Sequence, residues 1–238
     1  MSWLPSFAQR IYLPEQMDAP DCDDAKLRRT YVQLAIINRL LSRMRPLLQS
    51  EVLADIKARG GEVTIAELGC GGGDVLAWLA KRCQQQGLQV KLVGVDSEAR
   101  AVERAQRKLL RFANVRVVQG SLDELCAAKP DYVYCNHVLH HIPPDALVPV
   151  LARLRACAKR LLLINDLERS PMAYTLYTAL AAVAFHRSFV FADGRLSIRK
   201  GFKVPELRQA CEAAGFATDA VVKRVRPWRV VIVARTGA

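Results

Sequence analysis

From Val63 onward the chain alternates short, near-continuous apolar runs with longer amphipathic ones, and that alternation restricts the fold more than any other feature. The short runs are VTIAEL (63–68), VKLVGV (90–95), VRVVQ (115–119), DYVYC (131–135) and RLLLIN (160–165), all rich in β-branched or long apolar residues. A strand covered on both faces has this composition, because neither side of its pleat meets water. Between them, DVLAWLAKRCQQQ, SEARAVERAQRKLLRF and DALVPVLARLRACAK carry apolar residues at helical spacing with charges opposite. Strand and helix in repetition imply a parallel sheet with right-handed crossovers.

The last part of the chain reads differently. KVPELRQACEAAGF (203–216) opens with Pro-Glu and stops at Gly215, as a helix does. ATDAVVKRV and RPWRVVIVAR follow, two strand-like runs with a very short turn between them, and predict an antiparallel hairpin. Residues 24–59, broken at Pro46, predict N-terminal helices, and residues 167–202 are too long for a simple loop. The expected fold is therefore α/β: a Rossmann-like, doubly wound, seven-stranded sheet with an antiparallel last strand. One domain is expected over 1–238, divided into a helical cap (1–59), a core (60–166), an inserted lid (167–202) and a closing helix and hairpin (203–238).

Composition narrows the class. At 238 residues and 51% apolar content the chain can bury a sizeable core and is not a disordered polymer. Its seven cysteines are scattered with no C-x-x-C pair, which argues against a zinc ribbon or a disulfide framework and for a reducing, cytoplasmic setting. No signal peptide is evident, and the longest apolar stretch, MAYTLYTALAAVAF (172–185), is too short to span a bilayer. The formal charge of +12 is dispersed, with one denser patch at KRVRPWR (223–229) that reads first as a solvated face.

The first strand runs into GCGGGDVL. A glycine-rich turn before a helix lets backbone N–H groups approach a ligand closely. The dinucleotide pattern needs glycine at 74, where Asp74 stands, and no Gly-Lys-Ser/Thr follows. The loop suits a ligand without phosphates, such as a zwitterion whose ammonium faces Glu67 or Asp74. Asp96, ending the second strand in GVDSEA, is placed to accept both hydroxyls of a ribose. In QGSLDEL, Ser121 is placed to bond an adenine edge and Leu122 to pack on its face. Singly, Asp96 and Ser121 also read as helix N-terminal residues, with Ser97 capping the helix after Asp96.

Together these motifs resemble the class I S-adenosylmethionine-dependent methyltransferases. ELGCGGGDVL looks like their glycine motif, GVDSEARAVERA like their ribose motif and DYVYCNHVLHHIP like the motif after their fourth strand. The resemblance covers residues 60–165 well and 203–234 in outline. It implies S-adenosylmethionine as cofactor, held by Glu67, Gly69, Cys70, Gly71, Gly73, Asp96, Ser97, Gly120, Ser121 and Leu122, with Asn136 and His137 near the sulfonium. PEQMD (14–18), INRLLSRMRPLL (37–48), NDLERSPMAY and LSIRKGF are similar to small bacterial methyltransferases of polyketide, phenolic-lipid or quinone pathways. That similarity implies a small hydroxylated aromatic acceptor, lipid-like if it carries an alkyl tail, and O-methylation.

Within that reading His141 is the expected base, because an imidazole titrates near neutrality and a phenol benefits from one. Asp166, at the end of the fifth strand, is the second candidate, either as base or as the orienter of a histidine. Tyr174, Tyr177 and His186 are expected to line the acceptor pocket; Arg39, Arg43 and Arg45 read as solvated side chains, with one of them as an alternative partner of the cofactor carboxylate. His140 reads as packing. His137 and His141 share a helical spacing, but no second ligand cluster completes a metal site, and none is expected. The alternatives are a nucleic-acid methyltransferase, which the basic charge suits but CNHVLHH does not, and a cofactor-binding protein without turnover.

Overall fold

The computed structural model describes residues 5–216 and 220–236; the ATD opening the penultimate strand-like run lies outside them. Five strands run parallel: β1 (Val63–Leu68), β2 (Val90–Asp96), β3 (Val115–Gln119), β4 (Tyr132–Asn136) and β5 (Leu161–Leu167). Two more, β6 (Ala220–Val225) and β7 (Arg229–Arg235), form the expected hairpin, and β7 pairs antiparallel with β5. The spatial order β3-β2-β1-β4-β5-β7-β6 reverses direction of travel between β1 and β4. A crevice opens outside the strand ends at such a reversal.

Both faces of the sheet are covered, and β5 shows how. Leu161 and Leu163 point into one core with Ile65, Leu79 and Tyr134, while Leu162 and Ile164 point into the other with Leu151, Leu154 and Leu207. Successive side chains alternate across a strand, so an unbroken apolar run serves two cores at once. Truncating any of the four to Ala is expected to cost about 2–5 kcal/mol. Helices α4 (Asp74–Gln85) and α5 (Ala99–Leu109) supply the first core, and α6 (Leu122–Ala127), α7 (Leu147–Cys157) and α10 (Val204–Ala213) the second.

Three local features differ from the sequence reading. The N-terminal helices break not at Pro46 but at Leu41–Arg43, where Arg43 turns left-handed (φ 64°) between α1 (Asp24–Leu40) and α2 (Met44–Leu47). Pro46 falls in the first turn of α2, where its missing N–H costs nothing; a π-helical turn (Leu48–Leu53) then leads into α3 (Ala54–Arg59). Helix α5 is capped by Glu98 rather than Ser97. Cys126 on α6 and Cys157 ending α7 form a disulfide that their 31-residue separation gave no reason to expect; the other five cysteines are free.

The segment between β5 and α10 folds as two packed helices, α8 (Pro171–Ala184) and α9 (Val190–Lys200). Buried charges stitch the N-terminal stretch onto them. Arg169 donates to the carbonyls of Phe7, Ala8 and Gly201, Arg10 to those of Lys200, Leu139 and His140, and Asp193 accepts the backbone N–H groups of Gln16 and Met17. No helix among the described residues is long and apolar enough to cross a membrane.

Candidate active site

A cavity of about 920 Å³ opens at the carboxyl ends of the strands. Its sheet side is polar and its lid side apolar. Most of the residues singled out from the sequence meet there: Glu67, Gly69, Cys70, Gly71, Asp96, Ser97, Gly120, Ser121, Leu122, Asn136, His137, His141 and Tyr177 all line it. Gly73 does not. Its φ of 71° starts α4, and a Cβ there would press on Ala105 and Leu109, so this glycine serves the contact of α4 with α5.

The glycine loop has the backbone that its sequence permits. Gly69 (φ 69°) and Gly71 (φ 51°) both adopt left-handed backbone, which costs a side-chain-bearing residue most. The Gly71 N–H donates to Asp96 Oδ2 at 2.7 Å and the Glu98 N–H to Oδ1 at 3.0 Å, fixing the carboxylate toward the cavity. Ser121 caps α6 in a reciprocal box with Glu124, the helix-terminal reading of this serine, and also lines the cavity.

Three carboxyls crowd the polar side. Burial, then the charge of Asp74, raises the pKa of Glu67 well above the ordinary range, and Tyr134 Oη donates to it at 2.9 Å. Burial likewise raises Asp74 and Asp96. Among the described residues Asp74 Oδ2 and His137 Nε2 are buried without a hydrogen-bond partner. Orphaned polar atoms and uncompensated carboxyls ask for a cationic, hydrogen-bonding ligand. An aminoacyl sulfonium with a ribose meets that demand: ammonium for the carboxyls, hydroxyls for Asp96. The residues present fit S-adenosylmethionine.

Helix α1 contributes what the sequence did not signal. Asn38 Nδ2 donates to Asp74 Oδ1 (3.3 Å), Asn136 Nδ2 to Asn38 Oδ1 (3.2 Å), and Asn165 Nδ2 to Asn136 Oδ1 (2.7 Å). This amide chain ties the ends of β4 and β5 to the cap and locks Asn136. Arg39, Arg43 and Arg45 do not line the cavity, so none of them stands where one was a candidate partner of the cofactor carboxylate; Arg39 and Arg43 are exposed and Arg45 lies over the Trp78 ring. The lining arginines are Arg153 and Arg229. Arg229 is buried, its pKa lowered to about 10 by desolvation, so KRVRPWR is in part a cavity wall and not only a solvated face.

The histidines sort unexpectedly. His137 (φ 61°) has its N–H on Asn165 O at 2.9 Å, and burial holds its pKa well below the usual range. His140, expected to pack, has Nδ1 2.7 Å from Asp166 Oδ1, and its backbone N–H reaches Oδ2 at 3.2 Å. Asp166 therefore orients His140 and not His141, and it is fully buried behind that ring rather than on the cavity surface. A strand ends at Asn136 and a 3-10 turn (Leu139–His141) follows, which turns His140 inward where a helix would have favoured His141. Burial lowers the His140 pKa in spite of Asp166, so the ring is neutral, with Nδ1–H on the carboxylate and a lone pair on Nε2.

His141 lies at the cavity edge, Nδ1 3.3 Å from Asp18 Oδ2. Glu15 stands beside both rings, 3.7 Å from His140 Nε2 and 3.9 Å from His141 Nε2. Two imidazoles and a carboxylate form a metal-like triad, but the Lys200 ammonium already occupies the cation position on Glu15 Oε1 at 2.9 Å.

Of the acceptor residues, only Tyr177 lines the cavity, its hydroxyl bonded to Val190 O. Tyr174 is buried beside Phe7 with its hydroxyl on Arg195, and His186 is exposed, its Nε2 near Val183 O. The apolar wall consists instead of Leu34 and Ile37 from α1, Leu41 at the break after it, Leu176 and Leu180 from α8, and Trp228.

Residues 65–160 match the family described as "Methyltransferase domain". An uncharacterized 37.1 kDa protein in transposon TN4556 of Streptomyces fradiae is 28% identical over 169 residues, 66% of this chain and 48% of that one. A malonyl-[acyl-carrier protein] O-methyltransferase of Halalkalibacterium halodurans is 25% identical over 142 residues, 56% of this chain and 46% of that one. The chain thus spans about half the length of these curated relatives. Among solved structures, the plantazolicin methyltransferase BpumL, in complex with a pentazolic desmethylPZN analog and SAH, superposes with a TM-score of 0.66 at 12% identity, over 90% of this chain and 92% of that one. Residues 65–160 thus match a methyltransferase domain, and the described residues have the Rossmann-like methyltransferase fold.

Proposed function

We propose that the protein methylates a hydroxyl of a small, largely apolar aromatic acceptor, with S-adenosylmethionine as donor. Bound against Asp96 and the glycine loop, that cofactor supplies an electrophilic methyl group on a sulfonium. The protein's own tasks are to hold the acceptor in line, exclude water and take one proton. The lid side of the cavity does the first two: Leu176, Tyr177, Leu180 and Trp228 offer apolar surface facing the polar cofactor side. Proton removal falls to His140, whose Nε2 lone pair is kept available by the Asp166 hydrogen bond at Nδ1. His141, the base expected from the sequence, becomes its neighbour in the proton path.

The single observation carrying this reading is the His140–Asp166 pair beside a cavity whose two halves differ in chemistry. A wall of leucines and aromatics suits a small apolar acceptor better than a polynucleotide, which needs a basic, open face. The test is transfer of isotope-labelled methyl from S-adenosylmethionine to a panel of hydroxylated aromatics, amines and short RNA. Labelling of an aromatic hydroxyl, lost in His140→Ala, supports the proposal. Labelling confined to RNA, or unaffected by His140→Ala, overturns it.

A further inference from the structure

Each methylation of an O–H group liberates a proton. The methyl–sulfur bond breaks with its electron pair left on sulfur, the acceptor oxygen forms the new bond to carbon, and the O–H proton goes to the base. If His140 is that base, it ends every turnover protonated while only 2% exposed. Its Nδ1 side is a dead end: Asp166 is fully buried and already accepts His140 Nδ1–H and the backbone N–H groups of His140 and Leu167. The proton must leave from Nε2.

We propose that Glu15, His141 and Asp18 form the proton exit of the active site, with Lys200 and Ser197 as positioning residues that hold Glu15 between the two imidazoles. This rests on the methyl-transfer reading with His140 as base. Glu15 Oε1 is 3.7 Å from His140 Nε2 and 3.9 Å from His141 Nε2, and His141 Nδ1 is 3.3 Å from Asp18 Oδ2. Side-chain exposure climbs along that path, from 3% at His140 and 4% at Glu15 to 33% at His141 and 46% at Asp18. Lys200 Nζ at 2.9 Å and Ser197 Oγ at 2.8 Å both donate to Glu15 Oε1. The Lys200 ammonium is 1% exposed and also lies 3.5 Å from His141 Nδ1, so it holds both members of the path.

The two longer gaps fit the resting state. A neutral His140 presents a lone pair at Nε2, and two acceptors do not bond; once Nε2 carries a proton it is drawn to the carboxylate. The relative basicities also run outward. Burial lowers the His140 pKa. At His141 burial pulls down too, but the Asp18 hydrogen bond and the Glu15 charge outweigh it and the net shift is upward. The other charges facing these rings are Asp166 from β5 on His140, and Lys200 from α9, whose Nζ is 3.5 Å from His141 Nδ1, with Asp96 from β2 on His141. None of them bridges the two imidazoles.

The chain has only four histidines, so their ring signals are separable in 15N-resolved NMR of the full-length protein bound to S-adenosylhomocysteine. The quantity read is the rate at which His140 Nε2 exchanges a proton with water, taken from the exchange broadening of its ring 15N signal across its titration. Glu15→Gln keeps an acceptor for Lys200 and Ser197 but cannot carry a proton, and is expected to slow exchange at least tenfold. His141→Gln is expected to slow it similarly, with recovery on adding free imidazole at the mouth, a rescue that a merely structural lesion does not show. Exchange within twofold of the unsubstituted protein in both variants overturns the proposal, as does slowing without rescue in His141→Gln. If Glu15→Gln fails to fold, His141→Gln alone decides. Failure of the unsubstituted protein to bind S-adenosylhomocysteine strikes the methyl-transfer reading instead, and exchange is then still readable in the ligand-free protein.

Discussion

His140 Nδ1 lies 2.7 Å from Asp166 Oδ1, with the carboxylate sealed behind the ring and the far nitrogen 3.7 Å from Glu15 Oε1. A buried carboxylate that accepts from Nδ1 fixes both the tautomer and the ring plane, and leaves one lone pair for chemistry. Burial alone pushes the Asp166 carboxyl up, yet the His140 partnership and the Leu167 N–H together hold it well below the usual range.

Asp166→Asn should therefore present an amide to Nδ1 and favour the wrong tautomer. Turnover is expected to fall by roughly 10²–10⁴-fold, while affinity for S-adenosylhomocysteine stays within about twofold. Paired turnover and calorimetric measurements check this; equal losses in both would place Asp166 in cofactor binding or in the fold.

The three crowded carboxyls predict a pH dependence. Glu67, Asp74 and Asp96 are raised above their unfolded values, chiefly by burial, so the ligand-free fold takes up protons and loses stability as pH rises through their folded pKa values. A cationic ligand favours the ionised forms and reverses that loss. The increase in Tm given by S-adenosylmethionine should thus grow from pH 5 to pH 8, and affinity should rise by up to about tenfold per pH unit for each carboxyl that ionises on binding. 5′-Methylthioadenosine, which lacks the ammonium, should show a shallower slope in the same thermal scans.

Gly194 on α9 has the Tyr177 ring directly against it, where a Cβ would overlap the phenol. Gly194→Ala should push that ring into the acceptor side of the cavity. Acceptor KM is expected to rise about tenfold or more, with a stability loss of about 1–3 kcal/mol from overpacking and no change in S-adenosylhomocysteine affinity. Steady-state kinetics beside calorimetry separate the two sides of the site.

The sheet was legible because its signal is physical and local. Leu161 to Ile164 must be apolar on both faces, so β5 announces itself, and the motifs at the ends of β1, β2 and β3 sit where the strands deliver them. What the sequence hid is tertiary. The choice between adjacent His140 and His141 depends on a three-residue turn that rotates one ring inward. Glu15 and Asn38 stand in PEQMD and INRLLSRMRPLL, stretches whose pattern pointed to a family but not to a place at the site, far along the chain from the residues they meet. Tyr174 and His186 lie on the lid in aromatic-rich sequence, but helix phase and the end of α8 turn them away from the cavity.

The most direct measurement is calorimetric titration of S-adenosylhomocysteine into the protein and into Asp96→Ala. Saturable one-to-one binding is predicted, weakened roughly 10–150-fold in Asp96→Ala by loss of a charged hydrogen-bond acceptor worth about 1.5–3 kcal/mol. No saturable heat in the unsubstituted protein, or equal affinity in the variant, would contradict the account of this cavity as a methyl-donor site.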